Sequence, residues 1–128
     1  MKEVIFTNKA QHPGGMPYSQ AIKNGNTIFV AGQGPFDPES GQLVGQTLDE
    51  QARRALDNLK AILEAANSNL NDVVKVTVLL GKGAGFDDFN KIYKEYFQEP
   101  YPARTIYGVE LGGFMVQIDA IAIISQAQ

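Results

Sequence analysis

Arg104 follows Pro102 and Ala103 at the head of a strand-like run, Ala103 to Val109. The proline restrains the local backbone, so the side chain should be well placed. A guanidinium presents a planar fork that fits a carboxylate through two parallel hydrogen bonds. By residue type alone, the commoner use of such an arginine is a salt bridge within the chain or between subunits. Gln117 interrupts a second apolar run, Phe114 to Ile124. An amide there positions a water but is no general base at neutral pH. Asn90 stands at helical spacing from Phe86, Tyr93 and Phe97. An amide on an aromatic stripe either ties helix to loop or meets a ligand, and the tie is the commoner case. Tyr18, after Pro17, is a ligand-facing phenol or a packed aromatic. Gly32, at the end of "TIFVA", frees a backbone group for a ligand or merely serves turn geometry. Asp119 shares strand spacing with Gln117, as a catalytic acid or as half of an interface pair.

Other chemistries lack their residues. The chain has no Cys, which removes disulfides, thiol nucleophiles and thiolate metal sites. Its one His, His12, lies in the turn-rich "QHPGGMP" and reads as a solvated loop residue, which argues against a catalytic triad or a His-rich zinc site. "GQGP" and "GKGAG" lack the spacing and Lys-Ser/Thr ending of a phosphate loop. Net charge is −3 and the cations are scattered, which argues against a nucleic-acid partner. Nothing resembles a signal peptide or a membrane span, so the expectation is a cytoplasmic protein without a membrane partner.

The elements that must position these residues follow from pattern. The 128 residues fit one domain, 1–128. Glu3 to Thr7 reads as a first strand. Tyr18 to Pro35 reads as a hairpin, with Asn24-Gly25 predicted to form a type I′ turn between arms, the second being Thr27 to Ala31. "TLDE" at Thr47 is a capping box opening a helix whose Ala52, Ala55, Leu56, Leu59, Ile62, Leu63 and Ala66 share one face. Val73 to Leu80 is a buried strand. Phe86 to Phe97 is a second helix, with Phe86, Phe89, Tyr93, Tyr96 and Phe97 as its inner stripe. Two strands follow. The class is therefore α+β, a sheet of about six strands with two helices on one face. In the last strand Val116, Ile118, Ala120, Ala122 and Ile124 suit the helix side, while Met115, Gln117, Asp119, Ile121 and Ile123 form a second face too apolar for open water. With no third helix to cover it, a second copy of the chain is the natural cover, which implies a homo-oligomer.

The stretches "PYSQAI" (Pro17 to Ile22), "VAGQGP" (Val30 to Pro35), "ARRALDNLKAILEAA" (Ala52 to Ala66), "DVVKVTV" (Asp72 to Val78), "FNKIYKEYF" (Phe89 to Phe97), "PAR" (Pro102 to Arg104) and "IDAIAI" (Ile118 to Ile123), in this order, resemble the RidA/YjgF family across nearly the whole chain. The resemblance implies a chorismate-mutase-like fold, a homotrimer around a central β-barrel, and clefts between subunits. It implies hydrolysis of reactive 2-imino acids, 2-iminopropanoate and 2-iminobutanoate, to 2-keto acids and ammonia, without cofactor or metal. By the same resemblance Arg104 binds the substrate carboxylate, and Tyr18, Gly32 and Asn90 line the cleft. Many members carry "EIEAIA" in the last strand, where the first acid is thought to orient or activate the water. Here "QIDAIA" puts Gln117 at that acid and Asp119 at the second, and Leu111-Gly112 replaces a Leu-Pro in a shortened connection. Two other readings follow: a non-catalytic module binding small 2-keto or amino acids, and the ribonuclease or translation-inhibitor activity with which the family is often labelled.

Overall fold

A computed structural model describes residues 1–125; the last three positions of the expected 1–128 domain lie outside the described residues. The elements are β1 Glu3–Ile5, β2 Ala21–Asn24, β3 Thr27–Gln33, α1 Leu48–Ala65, β4 Val73–Leu80, α2 Phe86–Tyr96, β5 Ala103–Gly108 and β6 Val116–Ile123. They build the expected α+β architecture: one six-stranded sheet in the order β1-β2-β3-β6-β4-β5. Only β4 and β5 run parallel, because α2 carries the chain back between them; every other pair is antiparallel. No helix is long and apolar enough to cross a membrane among the described residues.

The core lies between the sheet and the two helices. Val116, Ile118, Ala120 and Ala122 of β6 are buried there against Ala52, Leu56, Leu59 and Leu63 of α1 and their neighbours. Each fully buried Leu or Ile contributes roughly 1.5–3 kcal/mol. α1 begins as expected: the Glu50 N–H donates to Thr47 Oγ1 at 3.2 Å, and Glu50 Oε1 accepts from the Thr47 N–H at 3.3 Å. The stripe on α2 differs from expectation. Ile92 is buried beside Phe89, Tyr93 and Phe97, whereas Phe86 is exposed. Phe86 flanks the edge strand β5, which has no outer neighbour to cover the ring.

Three local features also depart from the sequence reading. β1 ends at Ile5 rather than Thr7. The hairpin pairs Asn24 with Thr27, so Gly25 and Asn26 are the central residues. Only Gly25 has positive φ, at 63°, which is the type II′ pattern and not type I′. β3 runs on to Gln33 with a bulge, since Val30 pairs Ala120 and Gln33 pairs Ile118.

The second face carries Gln117, Asp119 and Ile121 half-buried, with Phe29, Tyr107 and Ile123 between 44% and 56% exposed. Asp119 spends one carboxylate oxygen on the Thr77 N–H at 3.0 Å, tying β6 to β4. Three buried amides that the sequence reading passed over fasten loops to this frame. Gln20 donates to the Gln11 carbonyl, Asn58 donates to the Phe36 carbonyl, and Gln51 accepts from the Met115 N–H.

Candidate functional site

Arg104 lies on β5 opposite Val76 of β4, and Val76 is buried beneath the helices. The pairing puts the Arg104 side chain on the helix face of the sheet. There Arg104 Nη1 donates to Asn90 Oδ1 on α2 at 2.8 Å. The guanidinium carbon stands 4.8 Å from the centre of the Tyr93 ring and 5.8 Å from that of Phe86. Tyr93 in turn stacks on Phe97, with ring centres 4.5 Å apart. The cation is therefore oriented by one amide and by an aromatic platform rooted in the core. Nη1 is engaged, and among the described residues the Nε–Nη2 edge makes no hydrogen bond. That edge is one of the two on a guanidinium that grip a carboxylate bidentately.

Arg104 borders a cavity of about 520 Å³, walled also by Asn90, Lys91, Tyr93, Lys94 and Tyr101. Burial pushes the Tyr93 hydroxyl up to about 12 against the opposing charge of Arg104, so it remains a neutral phenol. That hydroxyl is buried and has no hydrogen-bond partner among the described residues. Asn90 therefore acts on the arginine, with its Oδ1 facing the guanidinium. The sequence reading missed Lys91, Lys94 and Tyr101 as parts of the wall. The available signal was spacing: Lys94 lies one helical turn beyond Asn90, on the same ridge.

Gly32 and Gln117 meet elsewhere. A Cβ added at Gly32 would lie 2.4 Å from Gln117 Nε2 and 3.0 Å from its Cδ. Gly32 does not have positive φ, so what sets the position apart is the close approach of the Gln117 side chain and not turn geometry. The Gln117 carboxamide lies directly against backbone that the β3 bulge has turned out of register. Gln117 pairs with Leu79 of β4, and its side chain points to the face away from the helices.

Arg104 and the Gly32–Gln117 pair thus occupy opposite faces of one sheet. Arg104 and Gln117 are two strands and three residues apart, so their Cα atoms are roughly 14 Å apart on standard strand spacing. A four-carbon acid does not bridge them within one chain. Tyr18, 45% exposed in the loop before β2, lies outside the Arg104 cavity. His12 is exposed and stands edge-on to Phe6, as a loop residue should. Among the described residues no cluster of His, Cys, Asp and Glu is placed to hold a metal.

Comparison with known proteins is consistent along the chain. Residues 9–124 match the family model described as Endoribonuclease L-PSP. A RutC family protein of Pyrococcus abyssi is 53% identical over 94% of this chain and 96% of its own length. A mouse protein named 2-iminobutanoate/2-iminopropanoate deaminase is 47% identical over 96% of this chain and 92% of its own. The crystal structure of E. coli TdcF with bound serine superposes with a TM-score of 0.87 at 34% identity, over 97% of this chain and all of that one.

Proposed function

The chain belongs to the Rid/YjgF family, the group matched by the Endoribonuclease L-PSP model, and on that premise we propose that it hydrolyses 2-iminopropanoate and 2-iminobutanoate to 2-keto acids and ammonia. The observation that carries this reading is the free Nε–Nη2 edge of Arg104, held over a cavity by Asn90 and Tyr93. That edge takes the substrate carboxylate. Gly32 backbone contacts the imine nitrogen, Gln117 holds the attacking water, and Tyr18 shapes the cleft. Water adds to the imine carbon to give a carbinolamine. The nitrogen gains a proton, the C–N bond breaks, ammonia leaves and the C=O bond forms. One water is consumed for each ammonia released. An imine carbon is already electrophilic, so holding the acid and the water in register supplies much of the acceleration. The deaminase name of the mouse relative and the serine bound to E. coli TdcF support a small amino-acid-derived ligand.

Because Arg104 and Gln117 point away from each other, the two act on one ligand only if they come from different chains. The site therefore forms at a subunit boundary in a homotrimer, whose second sheet faces close into a central barrel. The exposed Phe29, Tyr107 and Ile123 on that face support this.

The test couples the protein to a threonine dehydratase in the presence of a nucleophile that intercepts the imine. Release of 2-ketobutyrate should rise above the buffer rate, and Arg104→Ala should return it to that rate. No acceleration by the wild type would end the reading. Gln117 in place of an acid favours one rival, a module that binds 2-keto acids without turnover. In that case 2-ketobutyrate raises Tm, the wild type gives no acceleration, and Gln117→Glu gains activity.

A further inference from the structure

The wall of the Arg104 cavity runs against the charge of the whole molecule. The chain carries a net −3, yet the cavity is lined by Lys91, Lys94 and Arg104 against the single carboxylate of Asp87. Its volume of about 520 Å³ also exceeds the need of a three- or four-carbon acid, since pockets of ~300–1,000 Å³ generally serve drug-sized ligands. The two lysines are not equivalent. Lys91 also borders a neighbouring depression with Asp49, Asp88 and Glu95, and Asp87 precedes it by one helical turn. Acids on two sides therefore compete for Lys91. On its own ridge Lys94 has Asn90 one turn before it, and α2 ends two residues after it, at Tyr96. No carboxylate stands at that ridge neighbour.

Asn90 fixes where the guanidinium sits, at 2.8 Å from its Oδ1. Side chains one turn apart on a ridge are ~5–6 Å apart at Cβ. Lys94 and Arg104 thus line one cavity from neighbouring positions, a setting that suits two carboxylates joined by a short carbon chain. Resting on the reading of Arg104 as the clamp for the 1-carboxylate, we propose that this cavity selects 2-imino and 2-keto acids bearing a second, terminal carboxylate, which Lys94 receives. The four- and five-carbon dicarboxylates are the class that fits.

The test is calorimetric titration of the intact protein with 2-oxoglutarate and with 2-ketobutyrate at fixed ionic strength. The wild type should bind 2-oxoglutarate about two- to fivefold more tightly, the effect of one exposed ion pair. Lys94→Glu, an exposed substitution, should remove that preference and leave 2-ketobutyrate affinity within about twofold. Raising the salt concentration should shrink the preference in the wild type only. Equal affinity of the wild type for the two acids would overturn the proposal and leave the Arg104 clamp standing. An equal loss of both acids in Lys94→Glu would also overturn it. Binding of neither acid by the wild type would remove the clamp itself, and the selectivity with it.

Discussion

A methyl group added at Gly32 would meet Gln117 Nε2 at 2.4 Å, well inside contact. Gly32→Ala must therefore displace the Gln117 carboxamide, the group proposed to hold the water. It should lower kcat several-fold while leaving 2-ketobutyrate affinity, which rests on Arg104, close to wild type. The two positions should also couple. In a Gln117→Ala background, Gly32→Ala should cost little more, with an interaction term of at least ~0.5 kcal/mol in a double-mutant cycle. Additive losses would show that the contact plays no part in the reaction. At this scale the proline and strand context of Arg104 marked a well-placed cation, while its role as a carboxylate clamp came from the family resemblance alone. It did not reveal why position 32 is glycine, because the crowding atom belongs to a strand far along the chain. Nor did it show that Asn90 would face the guanidinium, since helical spacing gives a face and not a partner.

α1 and α2 differ in how they begin, and the difference has a pH signature. The Gln46 N–H and then the Thr47 N–H and hydroxyl hold the Glu50 carboxyl below its ordinary value of 4.5. A folded-state value below the unfolded one stabilises the protein above the unfolded value. That contribution is lost as pH falls through the folded value. Tm should therefore be flat near neutrality and fall below about pH 4.5. Glu50→Gln should lower Tm at pH 7 and flatten part of the acid decline; an unchanged Tm at pH 7 would rule out the Glu50 charge as a stabiliser. The rest of the decline belongs to Glu95, held low by the Arg53 guanidinium, and to Asp37, held low by Ser40. Thr47→Ala should cost about 1 kcal/mol at neutral pH. The capping box and the alternation of β6 were legible because each is written in adjacent residues. The β3 bulge was not, since it is defined only against β6. The buried Gln20, Gln51 and Asn58 were also hidden, as their partners are backbone groups in loops that sequence spacing does not bring together.

For the whole molecule, the opposite orientation of Arg104 and Gln117 makes the proposed catalysis depend on assembly. The protein should sediment at close to three times the 13.9 kDa of the chain. Arg104→Ala and Gly32→Trp proteins should each be inactive alone. Unfolded together and refolded, they should recover activity at about a quarter of the sites, since random assortment pairs an intact arginine with an intact glycine that often. No recovery would mean that one chain supplies the whole site. The need for a cover on the second face was readable from the apolar alternation of β6. The division of the site between faces was not, because it depends on β5 pairing in parallel beside β4.

The helix that orients Arg104 opens at Gly85, which supplies no side-chain hydrogen bond to its first turn. Its amide protons should therefore trade with deuterated solvent sooner than those of α1. Occupancy of the cavity joins Arg104 to a ligand while Asn90 and Tyr93 still hold it to α2. Ligand would then slow that isotopic exchange along α2 first, giving an occupancy signal that needs no turnover.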